Sequence, residues 1–504
     1  MSVVIDTGIL LEPDASRVVM RRFTPGRDDL LLGESRAGGV IERLLTLTDA
    51  EVDLAADEVE TAMGRRHGEP VEAIEAFVAQ VLGRIDPAVS LSPRRRFLLG
   101  ACFATEFAVE GVSLCNPSMV LHPDQGGDQG VCDVDEPGAV RFVMSVRGIG
   151  EGHRSSIGFR TGTVDARGGV RVDPAAAPVV GARPGPGSHH REAARAFAAV
   201  HDAGSDNIEA VLARVGEVFD DADLAVGIQG LLSEKATRTG VEHSLSVVRS
   251  FASAGYSASF EPSVPLSARV LLSHAPCESR GMEDARFVRL CDDDGRLSYL
   301  ATYTGWDGSK VSQQALETYD FVTFRMWPLL GAAATDKGLA IFPRRVGGRW
   351  AAMSRSDRET NAISFSDDLH CWNDRQVVHA PVRPWELLQV GNCGSPIETE
   401  AGWLVLTHGV GPLRTYHLGA LLLDLDDPTV VLGSLRRPLL SPTHAWQDGY
   451  VPNVVYSCGA MVAGDHLVIP VGIADGTTGI VTTELAPLLD ELVGRTSTGR
   501  QDAL

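Results

Sequence analysis

Ala401-Gly402-Trp403-Leu404-Val405-Leu406-Thr407-His408 is a turn followed by an apolar, β-prone run that closes on a residue able to do chemistry. A turn signal before such a run marks a strand. Four other stretches repeat the pattern. They are Arg141-Phe142-Val143-Met144-Ser145-Val146-Arg147 after Pro137-Gly138, and Leu297-Ser298-Tyr299-Leu300-Ala301-Thr302-Tyr303 after Asp294-Gly295. The others are Arg349-Trp350-Ala351-Ala352-Met353-Ser354-Arg355 after Gly347-Gly348, and His466-Leu467-Val468-Ile469-Pro470-Val471-Gly472 after Gly464-Asp465. The terminal positions 303, 355, 408 and 472 stand 52, 53 and 64 residues apart, about one four-stranded blade each. The gap from 147 to 303 is 156 residues and must hold an insertion. Five such units predict a mainly β chain folded as a five-bladed β-propeller, with blades around a central channel. That channel would gather Arg147, Tyr303, Arg355, His408 and, a little further on, Asp475. Five unrelated strands would satisfy the same pattern.

The chain has 504 residues, 44% of them hydrophobic, so a sizeable core is available. Its mean hydropathy is near zero. A net charge of −21 disfavours nucleic acid or an anionic membrane as partner. A phosphate-type substrate then requires a local basic pocket set against the global field. The eight cysteines are scattered, with no CxxC pair and no zinc spacing. In a chain this long they read as reduced thiols in a cytoplasmic protein without a metal site. The N-terminus shows no signal peptide, and no apolar run of about 18 residues predicts a membrane span.

Three regions follow from the pattern along the chain. Residues 1–112 read as a strand-and-helix extension packing on the propeller: one or two strands over 1–27, then helices over 28–112. Thr48 with Glu51 makes a capping box ahead of Val52, Ala55, Val59 and Met63 at helical spacing, and Ser92-Pro93 starts another helix. Residues 113–490 read as the catalytic propeller, with a helical insertion at about 190–253. From about 260 onward strand and turn dominate. Residues 491–504 form a tail. The helical additions offer surfaces for packing, so a homo-oligomer is an expectation.

Chemistry concentrates in three clusters. In Arg280-Gly281-Met282-Glu283-Asp284-Ala285-Arg286, adjacent carboxylates point to opposite faces of a strand, so one of them faces a pocket. The flanking arginines lower an Asp pKa unless burial outweighs them. An acidic pair between arginines also reads as a structural ion-pair network. Lys337, Arg355 and His408 form a cationic set of the kind a tetrahedral anion requires. Equally, Arg355 could pair with Asp357 or Glu359, with His408 packed in the core. The third cluster is polar: Asn116-Pro117-Ser118, Gly391-Asn392-Cys393-Gly394-Ser395-Pro396, Tyr450-Val451-Pro452-Asn453 and Ala474-Asp475-Gly476. Such groups bind sugars beside an aromatic platform, for which Trp306, Trp385 and Tyr450 are candidates. Each motif alone is also an ordinary turn. There is no P-loop, Rossmann fingerprint, HExxH or nucleophile elbow.

Taken in order, these strings resemble a known family. They are Leu114-Cys115-Asn116-Pro117-Ser118-Met119-Val120, His122-Pro123-Asp124-Gln125, Ser145-Val146-Arg147 through Gly150-Glu151-Gly152-His153, and Met282-Glu283-Asp284-Ala285-Arg286. Further on come Lys337-Gly338-Leu339-Ala340-Ile341-Phe342-Pro343-Arg344, Gly391 to Thr399, Thr407-His408-Gly409-Val410-Gly411-Pro412, and Tyr450 to Tyr456. The resemblance is to the inverting β-mannoside phosphorylases and mannosidases of glycoside hydrolase family 130, over roughly residues 92–490. It implies a five-bladed propeller. It implies Asp284 as the acid that protonates the glycosidic oxygen, directly or through a sugar hydroxyl. Lys337, Arg355, His408 and Tyr416 match the phosphate region. Asn116, Arg147 and Asp475 match the glycone region, and Glu283, Tyr303, Asn392, Tyr450 and Asn453 join the substrate-binding set. Lys337 stands where many phosphorylases use Arg, and Val471-Gly472 replaces an expected Tyr-Gly pair.

An inverting hydrolase needs a second carboxyl to activate water. Phosphate is already a nucleophile, so one acid and a cationic cradle suffice. The expected reaction is therefore phosphorolysis of a β-mannoside to α-mannose 1-phosphate, with inorganic phosphate as co-substrate and no cofactor. The alternative is an inverting β-mannosidase, with Glu283, Glu359, Asp357 or Glu398 as base. A non-catalytic sugar-binding propeller is the rival from another class.

Overall fold

The computed structural model describes residues 3–25, 36–64, 66–67, 70–83, 85–86, 88–125, 138–234, 238–292 and 294–494. The anticipated helix over 28–35, the Gly126-Gly127 loop, Cys132 and Pro137 lie outside these residues. The chain is mainly β and divides into two compact units. One comprises Met1–Pro13, Val112–Ala175 and Gly181–Leu504; the other comprises Asp14–Gly111 and Ala176–Val180.

The larger unit contains five antiparallel runs of four strands. The first is Ser113–Leu121, Val140–Ile149, Ser155–Val164 and Val170–Val172. The second is Gly281–Cys291, Leu297–Trp306, Val311–Thr318 and Thr323–Pro328. The third is Ala340–Ile341, Trp350–Ser354, Asn361–Ser366 and Gln376–His379. The fourth is Gln389–Asn392, Gly402–Val410, Tyr416–Leu423 and Val431–Ser434. The fifth is Val455–Tyr456, His466–Ile473, Thr477–Glu484 and, from the other end of the sequence, Ile5–Leu11. Each of the five turn-led stretches is the second strand of its own run. The first two runs touch through one parallel pair, Gly281 with Ser155.

Each run packs on the next. Phe159 of the first lies 6.1 Å, ring to ring, from Phe287 of the second. Leu300 and Trp327 share a core with Ile341 and Trp350, Met353 and Ile363 with Trp403 and Leu421, and Leu404 and Leu418 with Ile469 and Val481. The fifth run then meets the first, Val468 and Ile480 against Phe142 and Met144. A strand covered on both faces carries a continuous apolar run rather than alternation. Gly402–Val410 is accordingly buried at every residue.

Two differences from the sequence expectation concern the ends. The sequence pattern puts the strand Ile5–Leu11 in the extension over 1–112. Its backbone pairs instead with Thr477–Glu484, because an edge strand needs a partner and the fifth run supplies one. A helix, Leu485–Leu492, follows the last strand, its Leu488 and Leu492 buried, so the tail begins later than residue 491.

The helical insertion comprises Arg191–Val200, Ser205–Leu212, Asp221–Ser233 and Val241–Ala254 around a core that includes Val211, Leu231, Leu245 and Phe251. Asp220 caps its third helix, accepting from the N–H groups of Ala222 and Asp223 at 2.9 Å each. A short pair, Ser188–His190 with Val218–Asp220, interrupts the helices.

The smaller unit pairs Val18–Arg22 with Ala104–Ala108 and holds Arg36–Thr46, Asp49–Gly64, Pro70–Leu82 and Pro93–Cys102. The expected capping box forms: Thr48 N–H donates to Glu51 Oε2 at 2.8 Å. Ser92 Oγ accepts from Arg95 N–H at 3.2 Å. Gly100 allows the last helix against the third, since a Cβ there would stand 2.5 Å from Ile74 Cγ2. No helix among the described residues is long and apolar enough to cross a membrane. The seven described cysteines form no disulfide.

Candidate active site

A cavity of about 770 Å³ opens in the larger unit, and every run contributes to its wall. Asn116 and Arg147 come from the first, Asp284 and Trp306 from the second, and Arg355 from the third, with Lys337 on the turn leading into it. Tyr416 comes from the fourth, and Tyr456 and Asp475 from the fifth. Lys310, Arg358 and Arg414 line it as well, against three carboxylates, Asp284, Asp336 and Asp475. The wall is thus net positive in a chain of charge −21. Six lining residues hold left-handed backbone: Asn116 (φ +48°), Asp284 (+56°), Asp336 (+64°), Arg358 (+67°), Arg414 (+56°) and Asp475 (+47°). Such conformations cost energy in non-glycine residues and gather where function requires them.

Asp284 sits at a break in the ladder, where the register shifts between Glu283 and Arg286. Asp284 nonetheless lines the cavity and Glu283 does not, as the expected alternation requires. Both acids reach one guanidinium: Arg147 donates to Asp284 Oδ1 at 3.1 Å and to Glu283 Oε1 at 2.8 Å. Asn116 Nδ2, from a matching shift between Cys115 and Ser118, donates to the same Asp284 oxygen at 2.7 Å. Arg286 is buried and donates to the Asp284 carbonyl (2.9 Å), the Cys393 carbonyl (2.8 Å) and the Tyr456 hydroxyl (2.9 Å). Arg280, the other expected flank, lies along Gly308 instead. Burial favours the protonated form of Asp284. Arg147, Arg286 and Lys337, with the Asn116 hydrogen bond, outweigh it and hold the carboxyl well below the usual range.

On the cationic side, Lys337 Nζ is 3.4 Å from Glu283 Oε2. Arg355 donates to the Lys337 carbonyl at 3.2 Å and, through Nη1, meets His408 Nε2 at 2.7 Å. Arg355 does not pair with Asp357, which binds Arg375 and Thr360. His408 is fully buried and does not line the cavity. Burial, then Arg355 and Arg286, lowers its pKa well below the ordinary imidazole value. It is therefore a neutral acceptor and not the third cation that the sequence suggested. Its ring is parallel to Tyr416 at 6.0 Å.

Asp475 lines the cavity, and its carboxylate makes no ion pair or hydrogen bond among the described residues. Burial raises its pKa, opposed by Arg147 and reinforced by Asp284.

Five expected substrate residues are not among those that line the cavity: Glu283, held by Arg147 and Lys337, and four others. Tyr303 is fully buried and donates to Glu278 at 2.8 Å. Asn392 is buried and donates to the Gly338 carbonyl at 2.8 Å. Tyr450 pairs its hydroxyl with His153 Nδ1 at 2.9 Å, outside the lining. Asn453 shapes a turn whose carbonyl accepts from Tyr416 N–H at 2.9 Å. Of the aromatic platforms, Trp306 lines the cavity, whereas Trp385 covers Gly409 and Gly419. Arg414, Gln389 and Tyr456 line it without having been singled out. Tyr456 lay inside a quoted motif; Arg414 had no signal, since its left-handed backbone is invisible in sequence.

A family model described as beta-1,4-mannooligosaccharide phosphorylase, of glycoside hydrolase family 130, matches residues 265–493. The chain is 33% identical over 220 residues to a 1,2-beta-oligomannan phosphorylase of Thermoanaerobacter sp. (strain X514), covering 43% of this chain and 72% of that one. It is 31% identical over 220 residues to a beta-1,2-mannobiose phosphorylase of Listeria innocua serovar 6a, covering 42% and 60%. Among solved structures, a Listeria innocua beta-1,2-mannobiose phosphorylase in complex with beta-1,2-mannobiose superposes with a TM-score of 0.42 at 20% identity, over 77% of this chain and 93% of that one. On the identity to a relative over most of that relative's length, the chain belongs to glycoside hydrolase family 130, the β-mannoside phosphorylase family, and is an enzyme.

Proposed function

We propose that this enzyme catalyses inverting phosphorolysis of β-mannosides to α-mannose 1-phosphate. The observation that carries the reading is the set of cations, Lys337 and Arg355 foremost, facing one buried acid in a cavity of sugar size. The relatives named for β-1,2-linked mannose make β-1,2-mannosides the first substrates to try. The cyclic packing of five antiparallel runs, each lending a residue to one cavity, supports a five-bladed propeller.

In this reading Asn116, Arg147 and Asp475 hold the glycone, and Lys337, Arg355 and Tyr416 hold phosphate, with His408 behind Arg355. A phosphate oxygen attacks the anomeric carbon from the α face. The bond from that carbon to the glycosidic oxygen breaks, and the leaving oxygen takes a proton from Asp284. The free protein keeps Asp284 ionised. A phosphate dianion beside Lys337 cancels part of the positive field, and this restores the proton affinity the acid needs.

A hydrolase would require a base. Asp357 and Glu398 are engaged with Arg375 and Arg344, and Glu283 with Arg147 and Lys337. Unpaired Asp475 is the residue that favours this second reading. Incubation with β-1,2-mannobiose, with and without inorganic phosphate, separates the two. Phosphorolysis yields mannose 1-phosphate and requires phosphate. Release of free mannose alone, undiminished in phosphate-free buffer, would decide for hydrolysis.

A further inference from the structure

The turn that carries Lys337 is built around a side chain from another strand. Gln313, in Val311–Thr318, is buried and does not line the cavity. With its amide oxygen turned toward the donors, Oε1 accepts from the backbone N–H groups of Gly338 (2.6 Å), Leu339 (3.2 Å) and Lys337 (3.3 Å). The opposite orientation sets an NH₂ group against three donors and satisfies none of them.

Three successive N–H groups converging on one point make a nest, a concavity that ordinarily takes an anion. Here a neutral carbonyl oxygen fills it. The backbone that makes the nest is left-handed at Asp336 (φ +64°) and Gly338 (φ +96°). Position 338 suits glycine, since φ +96° strains any other residue and a Cβ there would also crowd the Arg355 side chain. The outer side of the turn is fastened too. Asn392 donates to the Gly338 carbonyl at 2.8 Å and Arg355 to the Lys337 carbonyl at 3.2 Å. Every polar backbone group on this turn that meets a side chain is thus held by a residue of a neighbouring strand or turn.

We propose that Gln313 is a positioning residue: by filling the nest it fixes the backbone of Lys337 and so aims the ammonium group at phosphate. The proposal rests on the reading of Lys337 as a phosphate ligand. A strand-borne amide buried behind the wall gives a flexible lysine the fixed origin that a point-charge ligand lacks.

The test is steady-state phosphorolysis by Gln313→Met, which keeps size and removes the acceptor, with Gln313→Glu as rescue, since a carboxylate also accepts from three N–H groups. The half-saturation for phosphate rises about tenfold in Gln313→Met, with kcat within about twofold, the pattern of lost uniform binding. Gln313→Glu restores at least half of that loss. In a Lys337→Ala background Gln313→Met adds little, because the two act as one unit. If Gln313→Met does not fold, Gln313→Asn, one methylene shorter, replaces it. An unchanged half-saturation in either variant, with Lys337→Ala raising it, overturns the proposal alone. An unchanged half-saturation in Lys337→Ala overturns the phosphate reading beneath it. Equal additive losses in kcat and phosphate affinity mark Gln313 as merely structural and also overturn the proposal.

Discussion

Arg355 gives a hydrogen bond to His408 across 2.7 Å, from Nη1 to Nε2. The pair is one cation at the cavity wall and one buried neutral ring packed against Tyr416 and Tyr456, and the ring fixes where the guanidinium points.

His408→Ala removes that acceptor while leaving the charge of Arg355 in place. The half-saturation for phosphate should rise roughly 10-fold, in line with a lost charged hydrogen bond. His408→Gln, which offers an amide oxygen near Nε2, should recover part of it. Equal phosphate affinity in wild type and His408→Ala would show that Arg355 needs no support.

Asp284→Asn keeps the shape of the acid and removes its proton. Turnover should fall by at least about 100-fold, the scale of general acid catalysis, with mannoside binding retained. Near-normal rates in the folded variant would move the role elsewhere, and Glu283→Gln would be the next variant to assay.

Phosphate should change the pH profile. Asp284 must be protonated to act, and its pKa in the free protein is depressed by neighbouring cations. A dianion bound beside those cations disfavours the carboxylate and moves that pKa up. The alkaline limb of the rate should therefore lie at higher pH at saturating phosphate than at low phosphate. A limb that stays fixed, or moves down, would mean that the proton arrives by another route.

Asp475 sets stability against function. Its folded pKa lies above the unfolded value because burial penalises the charge. The ionised form is thus a cost to folding at neutral pH, and the cost disappears as pH falls below the unfolded pKa. Asp475→Asn should raise Tm at pH 7, each 1 kcal/mol gained being worth only about 1 °C in a chain of this size. No gain should remain near pH 3.5, and glycone binding should weaken. A lower Tm at pH 7 would show that the carboxylate is a net stabiliser.

The strands were legible because a turn before an apolar run is a local signal, and all five second strands lie where that signal placed them. Which residues face the cavity was less so, since it depends on where each strand ends. The turn-led repeat makes Tyr303 and His408 strand ends. Leu297–Trp306 runs three residues past Tyr303, and its last residue, Trp306, is the one at the cavity. Gly402–Val410 continues past His408, which leaves the imidazole inside the ladder. Arg355, just beyond Ser354, lines the cavity. The shared grip of Arg147 on Glu283 and Asp284 could not be foreseen, because a register shift at that point re-aims side chains in a way the two-residue period does not show.

The strand Ile5–Leu11 gives this chain an awkward childhood on the ribosome. Its partner, Thr477–Glu484, is separated from it by 473 positions at the contact of Thr7 with Ile480. At roughly 5–20 residues per second, synthesis leaves the early strand waiting about half a minute to a minute and a half for its mate. During that interval its backbone donors and acceptors are an open template for any other strand. Yield from cells should then depend on translation speed and chaperone supply in a way that the stability of the finished enzyme would not reveal.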